Sequence, residues 1–198
     1  MSETVFTRAL HALHDGEVIV YPTDTLYALG ADIYNGDAVR KVFAIKQRPL
    51  SVPLPVAVAS TKEIATIAEV PEHARRIIDR FLPGTLTIML PKKSLVPAIV
   101  TSGTPTIAVR VPDHPLALRL LKKYGPLTVT SANRHHEKTP GVIKDILMQL
   151  QTKTLVSLDG GRLDVSPSTI VDLTTPIMRV VRQGTITEQE LLDAMTDG

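Results

Sequence analysis

The sequence predicts an α/β protein built on a mixed, twisted, open sheet. Three observations carry this: short β-branched runs alternate with stretches of helical spacing, the alternation is irregular, and several strand-like runs adjoin with no helix between them. A regular doubly wound sheet would need a helix at each crossover, so this irregularity favours mixed strand directions.

Thr4 to Asp15 places Val5, Leu10 and Leu13 near helical spacing, and Asp15-Gly16 ends that helix. Glu17 to Tyr21 is a short β-rich run stopped by Pro22. Asp37 to Lys46 reads as a helix with Val39, Val42, Phe43 and Ile45 as its apolar residues, followed by a proline-stiffened loop, Pro49 to Pro55, and a strand, Val56 to Ala59. Ser60-Thr61-Lys62-Glu63 has the form of a capping box, in which the serine caps the N3 amide and the glutamate reaches back. A helix over Glu72 to Phe81 precedes strands at Leu86 to Leu90 and Thr106 to Val111. Next come a helix at Leu116 to Tyr124, a strand at Leu127 to Thr130 and a helix at Ile143 to Leu150. Three β-runs (Leu155 to Leu158, Thr169 to Leu173, Met178 to Val181) lead to a last helix, Thr187 to Met195, with Thr187 as cap and Glu190 at N3.

At 198 residues and 21.5 kDa, the chain is expected to form one domain spanning 1–198. Hydrophobic residues make up 43% and aromatics only 4%, so the core must be aliphatic. Lys+Arg 22 against Asp+Glu 20 is too balanced to argue for a dedicated nucleic-acid binder. The absence of cysteine excludes disulfides, thiolate metal sites and a cysteine nucleophile. Residues 1 to 16 show no secretory leader and no run approaches the ~20 apolar residues of a membrane helix, so a soluble, cytoplasmic protein without membrane contact is expected.

The common catalytic signatures are missing. There is no Gly-Lys pair for a P-loop, no G-x-G-x-x-G, no G-x-S-x-G and no His-Glu-x-x-His. Asp159-Gly160-Gly161 reads as a plain turn, and His135-His136-Glu137 as a polar loop rather than a metal site. His11 and His14 share a helix face with no evident third ligand.

Four stretches carry more information. Lys46 and Arg48 stand side by side at the mouth of the proline loop, as a solvated helix end or as an anion site. The stretch from Tyr21 to Gly30 follows a strand with a hydroxyl-rich loop, either a turn capped by Asp24 or a ligand contact. Arg110 lies within an apolar strand, on one face with Ala108; it must reach solvent there or pair with an anion. Thr128 to Asn133 ends a strand in hydroxyl and amide groups, as a simple turn or as the lining of a ligand crevice.

In chain order, PTDTLYALGAD, KQRP, PGTLTIML, VRVPDHP, TSAN, STIVDL and VVRQG resemble the YrdC-like family, over Gly16 to Gly184. Members of that family are threonylcarbamoyl-adenylate synthases with an α/β twisted sheet around a concave, basic cavity (the YrdC/RibB-like fold). The resemblance implies that L-threonine, bicarbonate (as CO2) and ATP give threonylcarbamoyl-adenylate and pyrophosphate. A separate transferase complex then passes the adenylate to tRNA, and Mg2+ arrives with ATP; the pattern singles out no protein ligand for it.

By the same resemblance, Lys46 and Arg48 match a K-x-R pair holding the ATP phosphates and the charge that develops at phosphorus. Thr25 and Tyr27 match the threonine subsite, with Arg110 as the clamp on its carboxylate and Val129 lining it through its backbone. Thr106, Ser131, Asn133 and Thr139 match nucleotide contacts; Ser168, toward threonine, and Arg182, toward ATP, complete the cavity. The chain departs from the pattern at Ala28 (usually glycine), at Arg134-His135-His136 (commonly a Ser-Gly turn) and at Pro167 (often glutamate). The given sequence runs only a short way past the last motif, so the extra domain of longer members is not expected. A related carbamoyl-adenylate-forming enzyme and an RNA-binding module are the alternatives, and weak tRNA contact beside synthesis is compatible with the first reading.

Overall fold

The computed structural model describes residues 3–152 and 155–196. Ten strands and seven helices alternate among the described residues, and the strands form two mixed sheets. The smaller sheet is a hairpin of β1 (Ile19–Pro22) and β2 (Tyr27–Gly30), flanked by β7 (Thr130–Ser131) on β2 and by β8 (Val156–Ser157), parallel to β1. The larger has the order β10-β9-β4-β5-β3-β6, built from Arg179–Arg182, Thr169–Asp172, Leu86–Pro91, Thr106–Arg110, Val56–Ala57 and Leu127–Thr128. Within it β4 runs parallel to β9 and antiparallel to β5, the mixture that the irregular alternation implies.

Helix α1 (Glu3–His14) ends at Gly16, whose φ of +71° suits glycine. Helix α2 (Gly36–Lys46) begins at Asn35, whose side chain accepts from the Asp37 and Ala38 amides, and ends at Gln47 in the left-handed region. Helices α3 (Thr61–Ile67), α4 (Glu72–Phe81), α5 (Pro115–Tyr124), α6 (Ile143–Gln149) and α7 (Glu188–Thr196) complete the chain. Aliphatic side chains fill the core, and Tyr21 and Tyr27 are the largest fully buried residues.

Three expectations are corrected. Tyr27–Gly30 is a strand and not a loop, because it pairs with β1 on one side and β7 on the other. The expected strand Leu127 to Thr130 is two short strands, one in each sheet. Between them the Val129 amide donates to Pro55 at 2.9 Å, so the chain steps from sheet to sheet there. At α3 only half the capping box forms: Glu63 accepts from the Ala59 amide at 3.1 Å and from the Ser60 hydroxyl at 3.2 Å, and Ser60 caps no helix amide. At α7 the full box forms, with Thr187 and Glu190 bonding each other's amides.

Candidate active site

A cavity of about 380 Å³ lies over one face of the larger sheet, within the range of small-ligand sites. Alternation along the strands chooses its floor: Thr87 and Met89 from β4, Thr106 and Ala108 from β5 all point into it. The turn between β1 and β2, the proline loop and the 129–131 crossover wall the other side. Eight of the sequence-selected residues line it: Thr25, Arg48, Thr106, Arg110, Val129, Ser131, Ser168 and Arg182. Three of these are arginines, and no carboxylate belongs to the wall.

Arg110 resolves the alternatives left by its strand position. It is 3% exposed and donates to Thr25 Oγ1 at 2.8 Å, to the Gly84 carbonyl at 3.0 Å and to Asp24 Oδ1 at 2.7 Å. Asp24 therefore does not cap its turn; the Thr23 hydroxyl holds the turn, accepting from the Thr25 and Leu26 amides. Burial works against the Arg110 charge and the Asp24 carboxylate supports it. Arg110 Nε and Asp24 Oδ2 are buried without protein partners.

Arg182 reaches the site from the opposite edge. It donates to the Ser168 carbonyl at 2.8 Å and to the Ser168 hydroxyl at 3.2 Å, and that hydroxyl lies 2.9 Å from Thr87 Oγ1. Gly184 permits this approach, since a Cβ there would meet Pro167 O and Thr169 N at 2.4 Å.

Lys46 and Arg48 diverge. The left-handed turn at Gln47 (φ 52°) separates them, sending Lys46 inward and Arg48 to the proline loop. Arg48 lines the cavity while donating to Val52 O at 3.0 Å and Pro53 O at 2.7 Å. Lys46 is 2% exposed and does not line the cavity. Its ammonium donates to the Ser131 carbonyl at 2.5 Å, the Ser131 hydroxyl at 3.1 Å, the Asn133 carbonyl at 3.0 Å and Asn133 Oδ1. Burial first, and the Arg48 charge second, bring it down to about 7. Of the expected pair, Arg48 thus lines the cavity, and Lys46 lies buried against Ser131 and Asn133.

Asn133, Thr139 and Tyr27 also fall outside the wall. Asn133 binds Lys46 and Ser131. The Tyr27 hydroxyl is engaged outside the cavity: it lies 3.0 Å from Asp159 Oδ1 and 2.6 Å from the Gly161 carbonyl, and accepts from the Gly160 amide. The Asp159-Gly160-Gly161 turn is therefore Tyr27's partner. Sequence reasoning passed over Thr87, buried and in the floor, and the Asp24 partnership with Arg110. Thr87 was visible as the only polar residue in Leu86–Leu90; Asp24 gave no signal, because its partner lies 86 positions away. Among the described residues no three His, Asp or Glu side chains gather as a metal site.

The protein is thus of the mixed-sheet α/β class, with a hydroxyl-lined, arginine-rich cavity over its larger sheet. The chain belongs to the Sua5/YciO/YrdC family, whose model, described as "telomere recombination", matches residues 11–184. It is 34% identical over 182 residues to the threonylcarbamoyl-AMP synthase of Pyrococcus abyssi, covering 90% of this chain and 54% of that protein. A Methanocaldococcus jannaschii relative is 38% identical over 178 residues, covering 89% of this chain and 84% of that one. The crystal structure of P. abyssi Sua5 complexed with L-threonine superposes with a TM-score of 0.93 at 32% identity, over 99% of this chain and 58% of that chain. The chain spans about half the length of the P. abyssi and Bacillus subtilis relatives it matches. Among the described residues no helix is long and apolar enough to cross a membrane.

Proposed function

We propose that this protein is a nucleotidyltransferase that makes threonylcarbamoyl-adenylate from L-threonine, bicarbonate and ATP, the first step of a tRNA modification. The observation that carries the reading is the convergence of Arg48, Arg110 and Arg182 on one cavity with no carboxylate in its wall. The reaction must hold a triphosphate and a carboxylate together although they repel, and three cations in a walled site serve that need. Bicarbonate supplies CO2 by losing hydroxide; the threonine amine adds to the CO2 and its proton goes to that hydroxide as water, leaving a carbamate. A carbamate oxygen then attacks the α-phosphorus, and pyrophosphate leaves with the bonding pair.

Arg110, with Thr25 beside it, suits the threonine carboxylate; Arg48, Ser131 and Arg182 suit the phosphates and the adenylate. Lys46 and Asn133 act through Ser131, as positioning residues. Mg2+ enters as the counter-ion of ATP. The likeness to a threonine-bound relative supports the amino-acid choice. A cytoplasmic setting and a downstream tRNA transferase complex belong to the same proposal. A pyrophosphate-release assay tests it: release requires threonine, bicarbonate and ATP together, and equal release without threonine contradicts it.

A further inference from the structure

Loop 134–138 sits against the segment that bears Lys46 and Arg48. The His135 amide donates to the Lys46 carbonyl at 2.8 Å, fastening the loop to the end of α2. Gln149 of α6 accepts from the Arg134 amide at 3.3 Å and donates to the Lys138 carbonyl at 3.0 Å. The Asn133 side chain donates to the Glu137 carbonyl, which closes the turn. On this braced loop the His135 and His136 rings stack with centroids 3.8 Å apart.

The loop carries four basic side chains, Arg134, His135, His136 and Lys138, and the Arg48 and Lys46 charges act on His135. Among the described residues none forms an ion pair, and the loop's one acid, Glu137, forms none either. Arg134 Nε is buried without an acceptor. Fixed cations without counter-charges raise the local concentration of anions and lower the energy of one that binds. The nearest anion the proposed reaction brings is the outer end of the triphosphate, next to Arg48.

We propose that loop 134–138 is the outer wall of the phosphate site. It receives the β- and γ-phosphates of the nucleotide and the pyrophosphate they become, and His135, stacked on His136, takes up a proton as that anion binds. This rests on the ATP reading given above. Partial burial, then the charges of His136, Arg48 and Lys46, hold His135 below its ordinary range. Those are the charges that act on His135: one within the loop, one from α2 and one just after it. Helix α6 meets the loop through the neutral Gln149. A phosphate chain reverses the sign of that local field and favours the imidazolium.

Calorimetric titration with inorganic pyrophosphate at pH 6 and pH 8 tests this, comparing the protein with His135→Gln/His136→Gln. Neither substitution enters the core, and a thermal melt checks the fold. The variant is expected to bind pyrophosphate about tenfold more weakly than the parent at pH 6, the scale of one charge-assisted hydrogen bond, and nearly equally at pH 8. Lys46 titrates in the same range but is present in both proteins, so the histidine share is the difference between them. Equal affinities at both pH values, or a deficit that does not change with pH, overturn the proposal. A variant that keeps pyrophosphate affinity but loses tRNA affinity assigns the loop to RNA and overturns it too. A parent protein that binds neither ATP nor pyrophosphate contradicts the ATP reading itself.

Discussion

Arg110 donates to the Asp24 carboxylate at 2.7 Å, from a strand of the larger sheet to the hairpin turn of the smaller one. The two side chains are 4% and 11% exposed, so the pair joins the two sheets in near-dry surroundings. Removing one partner leaves the other's charge buried and uncompensated. Asp24→Ala is expected to destabilise the protein by about 3–5 kcal/mol, measured by urea unfolding, whereas Asp24→Asn costs less because the amide oxygen still accepts from Arg110.

Arg110→Lys keeps the charge and loses the fork. If Arg110 holds the substrate carboxylate, this change raises the KM for threonine roughly tenfold to a hundredfold, the cost of about 1.5–3 kcal/mol for a charged hydrogen bond. The KM for ATP is expected to move little. Steady-state kinetics with each substrate varied in turn separates the two.

Tyr27→Phe distinguishes a structural tyrosine from a substrate contact. Its hydroxyl serves the 159–161 turn, so the variant should lose about 1 kcal/mol of stability and keep the parent KM for threonine. A large rise in that KM would put the ring in the subsite after all.

Arg48 ties the proline loop through the Val52 and Pro53 carbonyls. Arg48→Lys retains a cation but cannot repeat both ties. Limited proteolysis should then cut near Leu50, which is 59% exposed, faster than in the parent, and ATP should protect less well.

The Lys46 ammonium falls from 10.5 in the unfolded chain to about 7 in the fold. Between those values the unfolded chain binds more protons, so stability rises as pH increases from 7 toward 10.5. That gain is given up as pH falls from 10.5 to 7, and below 7, where the lysine is protonated in both states, its contribution no longer changes. Lys46→Met should flatten that part of the stability curve, as read from urea midpoints at pH 7 and pH 9. The same variant should lower turnover about tenfold or more, by freeing Ser131 and Asn133.

Local signals explain what the sequence disclosed. The period-2 pattern of Thr106 to Val111 put Ala108 and Arg110 on one face, and they do share the cavity face. The Thr187–Glu190 capping box forms as spelled out. The split of Leu127 to Thr130 between two sheets stayed hidden, because Val129's amide is claimed by Pro55, far away in sequence. Tyr27 shows the same limit, since the 159–161 turn that engages its hydroxyl lies more than 130 positions on. The divergence of Lys46 from Arg48 depends on one left-handed residue, Gln47, and glutamine carries no local sign of that conformation.

On the proposed function, this cavity joins a carbamate of threonine to AMP. Incubating the protein with ATP, L-threonine and carbon-13 bicarbonate, then weighing the products by mass spectrometry, tests it most directly. The expected product is a labelled threonylcarbamoyl-AMP formed in step with pyrophosphate, and abolished in Arg110→Ala. Pyrophosphate released without label in any adenylate, or ADP as the nucleotide product, would contradict it.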